Sequence, residues 1–167
     1  MIPLVNFIDE PNRSICKRFI DENIERVTIA KGSTVKHQAW PGGYVDHINE
    51  VMTIACLLFR SLDDHRQLGF SLSDALLTLF LHDLEKPWKH IKGGIDFSKA
   101  EAMTFRMNKI EEYGFVLTDE HLNAIKYVEG EGNDYHPVER MQGPLAAFIH
   151  CCDTLSARVW FDKPEKQ

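Results

Sequence analysis

The sequence is short of several things, and each shortage narrows its class. It has four cysteines, Cys16, Cys56, Cys151 and Cys152, and no pair spaced as CxxC, so neither a zinc ribbon nor a thioredoxin-like redox motif is supported. Cys151 and Cys152 are adjacent in an apolar run and read as buried, reduced thiols. No apolar run approaches the roughly 20 residues needed to cross a bilayer. No basic-then-apolar leader opens the chain, so a cytoplasmic location without a membrane partner is expected. Positive charge is the minority: 19 Lys and Arg stand against 25 Asp and Glu, a formal net charge of −6. A general grip on duplex nucleic acid needs a basic surface and is not expected. A small anionic substrate remains open, because a bound divalent cation reverses the local field. Internal repeats, low-complexity tracts and Ser/Pro-rich linkers are missing. Strand-like alternation is scarce.

What is there is helical. The 167 residues, 44% hydrophobic and 26% charged, suit one globular domain with a real core. The expected fold is all-α, a compact single-domain bundle of about six helices spanning 1–167, with its core over about 36–160. The first helix is expected from about Pro11 to Val27, with Ile15, Cys16, Phe19, Ile20 and Ile24 as its apolar stripe. A polar loop follows, from about Lys31 to Gly43, and its Pro41-Gly42-Gly43 is no helix interior. The second helix covers about Tyr44 to Leu62. The third begins at the cap residue Ser71 and runs to about Lys86, where Pro87 ends it. The fourth covers about Ser98 to Tyr113 and stops at Gly114. The fifth starts after Thr118 and runs to about Val128. A Gly-rich loop, Glu129 to Pro137, precedes a sixth helix from about Gly143 to Trp160. The polar tail from Asp162 to Gln167 is expected to fray.

The ionisable groups on these helices carry the chemistry. His47 shares a face with Val51, Ile54, Ala55 and Leu58. Asp83 shares one with Leu72, Leu76 and Leu79, and Asp153 one with Leu145, Ala146 and Ile149. Burying a lone carboxylate costs several kcal/mol or more unless it is paired or coordinated. A divalent cation shared between the three faces offsets that cost, since two carboxylates and two neutral imidazoles complement a charge of +2. His82 and Asp83 are neighbours about 100° apart on a helix and approach one ion from adjacent directions. Lys86, one turn beyond His82, is placed to hold a phosphate. Bland readings exist for each residue alone: His47 as a hydrogen-bonded core histidine, Asp153 paired with Arg158, His82-Asp83 as a helix-end accident.

The segment Leu79-Phe80-Leu81-His82-Asp83-Leu84-Glu85-Lys86 resembles the signature of the HD superfamily of metal-dependent phosphohydrolases, an apolar run, His-Asp, and a lysine three residues after the Asp. His47 matches the family's upstream histidine. Asp153, in His150-Cys151-Cys152-Asp153-Thr154-Leu155-Ser156, matches its late aspartate. The resemblance spans about Lys36 to Arg158 and implies metal ligands His47, His82, Asp83 and Asp153. A narrower stretch, His37-Gln38-Ala39-Trp40-Pro41-Gly42-Gly43-Tyr44-Val45-Asp46-His47, is similar to the His-x-Ala-x-x-Gly-Gly-x-x-x-His entry loop of HD domains in some bacterial exoribonucleases and relaxase-associated proteins. There the loop histidine lies near the metal. His37 is therefore a candidate for substrate contact or a second metal, and a rival first ligand. The sequence departs from the family where many members carry a His-His pair: the comparable stretch is Lys126-Tyr127-Val128-Glu129-Gly130. This counts against a two-metal centre and leaves Glu129 as a candidate acid or base, or a loop carboxylate. His136 reads as a substrate contact or a loop residue, and His65, His90 and His121 as surface.

The resemblance implies metal-assisted hydrolysis of a phosphate ester. Asp83, Lys86 and Glu129 are the candidate catalytic groups, and His37, Lys86 and Arg158 the substrate contacts. The cofactor is expected to be a divalent ion, Mn, Fe, Co, Ni, Mg or Zn, with open coordination suiting the first five better than a closed structural zinc site. The expected substrate is a small phosphoester, a nucleotide by resemblance, and assembly into oligomers stays open. Trp40, Tyr44, Trp88 and Tyr135 lie in or near the site loops, where an aromatic ring can stack on a base. The competing readings are a regulatory module that holds metal without turnover, a nuclease acting on nucleic-acid ends, and a helical interaction protein without metal.

Overall fold

The helical periodicity is realised throughout. The structure, a computed structural model, describes residues 1–160 and Lys163. Among these residues there is no strand; eight α-helical segments and two 3₁₀ turns follow one another. The tail expected to fray, Asp162 to Gln167, lies outside the described residues apart from Lys163.

The first expected helix is two, α1 (Asn12–Glu22) and α2 (Ile24–Ile29). The break falls at Asn23, whose backbone leaves the helical region at φ −118° and ψ 20°. Its side-chain amide donates to the Phe19 carbonyl and the Tyr113 hydroxyl, each at 2.8 Å. A short polar side chain that bonds locally competes with the helix in this way. α3 (Gly43–His65) starts directly after Gly42, which sits at φ +83°, a conformation glycine adopts without penalty.

α4 (Leu72–Leu81) opens with a reciprocal capping box between Ser71 and Asp74. Ala75 to Leu81 are all buried, and a helix apolar all round belongs in the middle of a bundle. It is flanked by α3, α7 and α8. The helix ends five residues earlier than the sequence suggests. His82 is its C-cap, residues 82–85 form turns, and Lys86 starts a separate helical turn, α5 (Lys86–Lys89). Pro87 is thus in the first turn of α5, where its missing N–H costs nothing.

α6 (Lys99–Tyr113) is capped by Ser98 and Glu101 and stopped by Gly114 at φ +72°. α7 (Asp119–Lys126) is capped by Thr118, whose partner is His121. His121 is therefore not a surface residue. It is buried, its Nδ1 accepts from the Thr118 amide at 3.0 Å, and its Nε2 lies 3.1 Å from Asp74. His90 is half-buried, and His65 is exposed as expected. α8 (Pro144–Val159) closes the bundle against α3, α7 and α4. One hydrophobic core runs through the elements, from Ile48 and Met52 of α3 through Leu76 and Phe80 to Ile149 of α8. Cys152 joins that core, but its neighbour Cys151 points out to solvent, about 100° further round the helix. None of the described helices is long and apolar enough to cross a membrane.

Candidate metal centre

The face of α3 that buries Ile48 and Val51 also buries His47 completely. The end of α4 delivers His82 and Asp83, both buried, and α8 delivers Asp153. Three elements far apart in sequence thus meet at one point. Nε2 of His47 lies 3.2 Å from Nε2 of His82, 3.2 Å from Asp153 Oδ1 and 3.3 Å from Asp83 Oδ2. Nε2 of His82 lies 3.0 Å from Asp83 Oδ2 and 3.6 Å from Asp153 Oδ1. His47, His82 and Asp153 each offer a ligand atom, and these atoms fall within 4.8 Å of one another, so the group can hold a metal ion.

The hydrogen bonds behind the rings decide what points inward. A carbonyl only accepts, so Nδ1 of His82 carries a proton and donates it to Leu79 O at 2.6 Å. Ser156 donates its hydroxyl proton to Glu50 at 2.5 Å, and its oxygen therefore accepts from Nδ1 of His47 at 3.1 Å. Each imidazole accordingly turns its Nε2 toward the other and toward two carboxylates, and without an ion a proton on Nε2 of His82 is the positive charge between them. Such a set of acceptors is repulsive unless a positive charge lies among them. Asp83 Oδ2 is buried without a hydrogen bond of good geometry, although the Lys86 ammonium rests against it. Once that proton leaves, the two imidazoles are neutral, and with Asp153 and the buried oxygen of Asp83 left short of partners they form a donor set that fits a divalent cation.

The charges respond to this crowding. Burial alone would lower the pKa of His82, but the charge of Asp83 and the bond to Asp153 outweigh it and push the imidazole up to about 10. Burial would raise Asp83, but the charges of His82 and Lys86 hold it well below the usual carboxylate range. Asp153 is likewise depressed, burial being outweighed by its bonds to His47 and His82.

No protein-family model, curated protein or solved structure matches this chain. Its chemistry rests on the geometry alone.

The loop between α2 and α3 lays His37 beside the centre, its ring centroid 5.3 Å from that of His47. Nδ1 of His37 donates to Gln38 Oε1 at 2.6 Å, so its Nε2 is left without a proton. Gln38 is held hard: its Nε2 donates to Glu50 at 2.6 Å, and its backbone sits at φ +44°, unusual for a residue with a side chain. Such strain clusters at functional sites. Gly43 is what lets the loop close, because a Cβ there would lie 1.9 Å from the Gln38 carbonyl oxygen.

Other sequence candidates are not brought to the centre. Glu129 follows the end of α7, is exposed and pairs with Lys99 at 2.6 Å. Arg158 is exposed; five residues after Asp153 it lies about 140° round the helix, and among the described residues it makes no ion pair with Asp153. His136 is an exposed loop residue whose Nδ1 accepts from the Val138 and Glu139 amides at 3.3 and 3.0 Å. Of the aromatics, Tyr44 is fully buried and Trp88 packs on Phe19 and Phe105. Tyr135 is exposed, and Trp40 donates to Asp46 at 2.7 Å. The sequence reading missed Gln38, Glu50 and Ser156. Glu50 and Ser156 had a signal: each lies three residues after a member of the His-Asp group, His47 and Asp153, on the same helix face.

Proposed function

We propose that this chain is a metal-dependent phosphohydrolase of the HD type. The observation that carries the proposal is the convergence of two Nδ1-protonated imidazoles and two carboxylates on one point, with Lys86 and His37 beside it. His47, His82, Asp83 and Asp153 would hold the ion. When bound, a divalent cation there supplies Lewis acidity and makes a water acidic enough to attack a phosphate ester near neutral pH. Lys86, anchored on Asp83, neutralises charge on the phosphoryl oxygens. Burial holds the pKa of His37 below its ordinary value, so its free Nε2 is bare at neutral pH and takes up the proton of the attacking water. Metal analysis of protein purified without chelator, followed by turnover of a generic phosphodiester and a nucleotide panel with Mn²⁺ or Co²⁺, tests the reading. Metal at one ion per chain with turnover is expected; neither one would end it.

A second reading is a metal-holding module without turnover. It is favoured by the narrow opening: the side chains of His47, His82, Asp83 and Asp153 are 0%, 3%, 11% and 22% exposed. Metal content without hydrolysis selects it.

Two further results are expected. Ser156→Ala removes the acceptor that fixes His47 and leaves Glu50 without its hydroxyl donor, so Mn²⁺ affinity should fall about 10- to 100-fold with the fold intact. An unchanged affinity by calorimetry would mean that the tautomer is set otherwise. The second concerns pH. The pKa of His82 is raised, so in the metal-free chain its contribution to stability is complete below about pH 6.5 and is lost as pH rises toward 10. Those of Asp83 and Asp153 are lowered, so their contributions hold above about pH 4 and fade in stronger acid. The ion needs the lone pair that this proton occupies. Mn²⁺ affinity should therefore rise by about tenfold per pH unit, roughly 100-fold between pH 6 and 8. A flat profile would contradict the proton's displacement.

A further inference from the structure

His47 and His37 are held from behind by one residue. Glu50 lies on α3, one turn after His47, and a single oxygen of its carboxylate, Oε2, receives two hydrogen bonds. Ser156 of α8 donates its hydroxyl at 2.5 Å, and the Gln38 amide donates at 2.6 Å. The far side of each partner reaches an imidazole. The Ser156 oxygen accepts from Nδ1 of His47 at 3.1 Å, and the Gln38 oxygen accepts from Nδ1 of His37 at 2.6 Å. The Gln38 amide also reaches Ser156 at 3.3 Å, which closes the network.

The direction of every one of these bonds follows from the carboxylate. A serine hydroxyl and a glutamine amide can each donate or accept, and an imidazole can carry its proton on either nitrogen. None of them fixes its own orientation. An ionised carboxylate only accepts. Facing it, Ser156 must point its proton away from His47, and Gln38 must turn its NH₂ group to Glu50 and its oxygen to His37. Both imidazoles are then protonated on Nδ1 and leave Nε2 without a proton. Gln38 and Ser156 are buried, so a misdirected donor would go unpaired, which the interior penalises. Glu50 itself is half-buried. It lines a groove of about 360 Å³ with Trp40, Ile54 and Trp160, so solvent reaches the charge on which the network depends.

We propose that Glu50 is a positioning residue that sets the tautomers of His37 and His47 together, the first through Gln38 and the second through Ser156. Its role toward His47 rests on the metal reading, because that tautomer matters by leaving Nε2 free for the ion. Its role toward His37 rests on the hydrogen bonds alone. One carboxylate thereby couples the residue that would hold the ion to the residue that would take the proton of the attacking water.

The test is Glu50→Gln in the full chain. The variant keeps the size of the side chain and removes its acceptor-only character, because an amide can flip. The first readout needs neither metal nor turnover: ¹⁵N-correlated NMR of the imidazoles in the metal-free chain at about pH 8, where ordinary histidines are neutral. His37 should be the Nδ1-protonated tautomer in the wild-type chain and a mixture of both tautomers in Glu50→Gln. In the metal-free chain Nε2 of His47 faces Nε2 of His82, so the effect on His47 is read through Mn²⁺ affinity, which should fall about tenfold. In a Ser156→Ala background the route to His47 is already cut. There Glu50→Gln should cost less than about twofold in Mn²⁺ affinity while still mixing the His37 tautomers. Circular dichroism of the variants should match the wild-type chain. A wild-type His37 protonated on Nε2, or a His37 spectrum that Glu50→Gln leaves unchanged, would overturn the proposal. So would an equal spectral change at His65, exposed at the other end of α3, or a full tenfold loss on top of Ser156→Ala. A wild-type chain that binds no Mn²⁺ would sink the phosphohydrolase reading and the role toward His47 with it, whereas mixed His37 tautomers in Glu50→Gln would still support the role toward His37.

Discussion

Asp83→Ala is expected to abolish both metal retention and hydrolysis, leaving activity below about 1% of the wild-type chain. The residue has two tasks that no neighbour duplicates. Its Oδ2 is 3.0 Å and 3.3 Å from the Nε2 atoms of His82 and His47, and the same oxygen anchors Lys86. Losing an inner ligand should cost more than the 10- to 100-fold that outer partners cost. On the proposed reading it also frees the ammonium that would face the phosphoryl group, which removes charge stabilisation in the transition state. Some stability is lost as well, because the half-buried Lys86 is left without its carboxylate, and circular dichroism reads that loss separately. Metal analysis and phosphodiester turnover measure the two effects separately. Activity that survives in this variant would show that the ligands are misassigned.

Arg106→Met should give the largest loss of stability. Arg106 of α6 holds Glu85 through its Nε and a terminal nitrogen, each at 3.0 Å, with both side chains under a tenth exposed. Even so, burial pushes the Glu85 carboxyl above its ordinary range, ahead of the opposing pull of Arg106. Removing the arginine strands a buried carboxylate next to the turn that carries His82 and Asp83. Breaking such a pair from one side costs about 3 kcal/mol or more, roughly 6 to 12 °C in Tm for a chain of this size. Glu85→Leu together with Arg106→Met should recover most of that loss, since a well-packed apolar pair replaces a buried ion pair at little cost. Thermal unfolding of the two single variants and the double variant gives the coupling directly. A single variant that melts within about 2 °C of the wild-type chain would mean that water reaches Glu85.

Much of this was legible in the sequence because helical periodicity and cap residues are local signals. Ser71, Ser98 and Thr118 each mark a helix start, and Gly114 marks a stop. The group that could hold a metal was legible for a related reason: an ionisable group on an apolar stripe is costly, and His47 and Asp153 both carried that anomaly. What was hidden depends on contacts between distant segments. Asn23 breaks α1 from α2 with help from Tyr113, 90 residues away. Glu50, Ser156 and Gln38 act as one network only because α3, α8 and the His37 loop meet. No sequence signal singled out Glu85, and only the arrival of α6 makes it half of a buried pair. Glu129 misled for the opposite reason. Its place in the chain suggested the site, but the turn after α7 carries it outward to Lys99.

The most direct measurement is a crystal structure of the chain equilibrated with Mn²⁺, with anomalous difference density recorded at the metal's absorption edge. A single strong peak within coordination distance of both Nε2 atoms and of a carboxylate oxygen each from Asp83 and Asp153 is the expected result. Density elsewhere, or an empty centre at saturating Mn²⁺ and neutral pH, would contradict it.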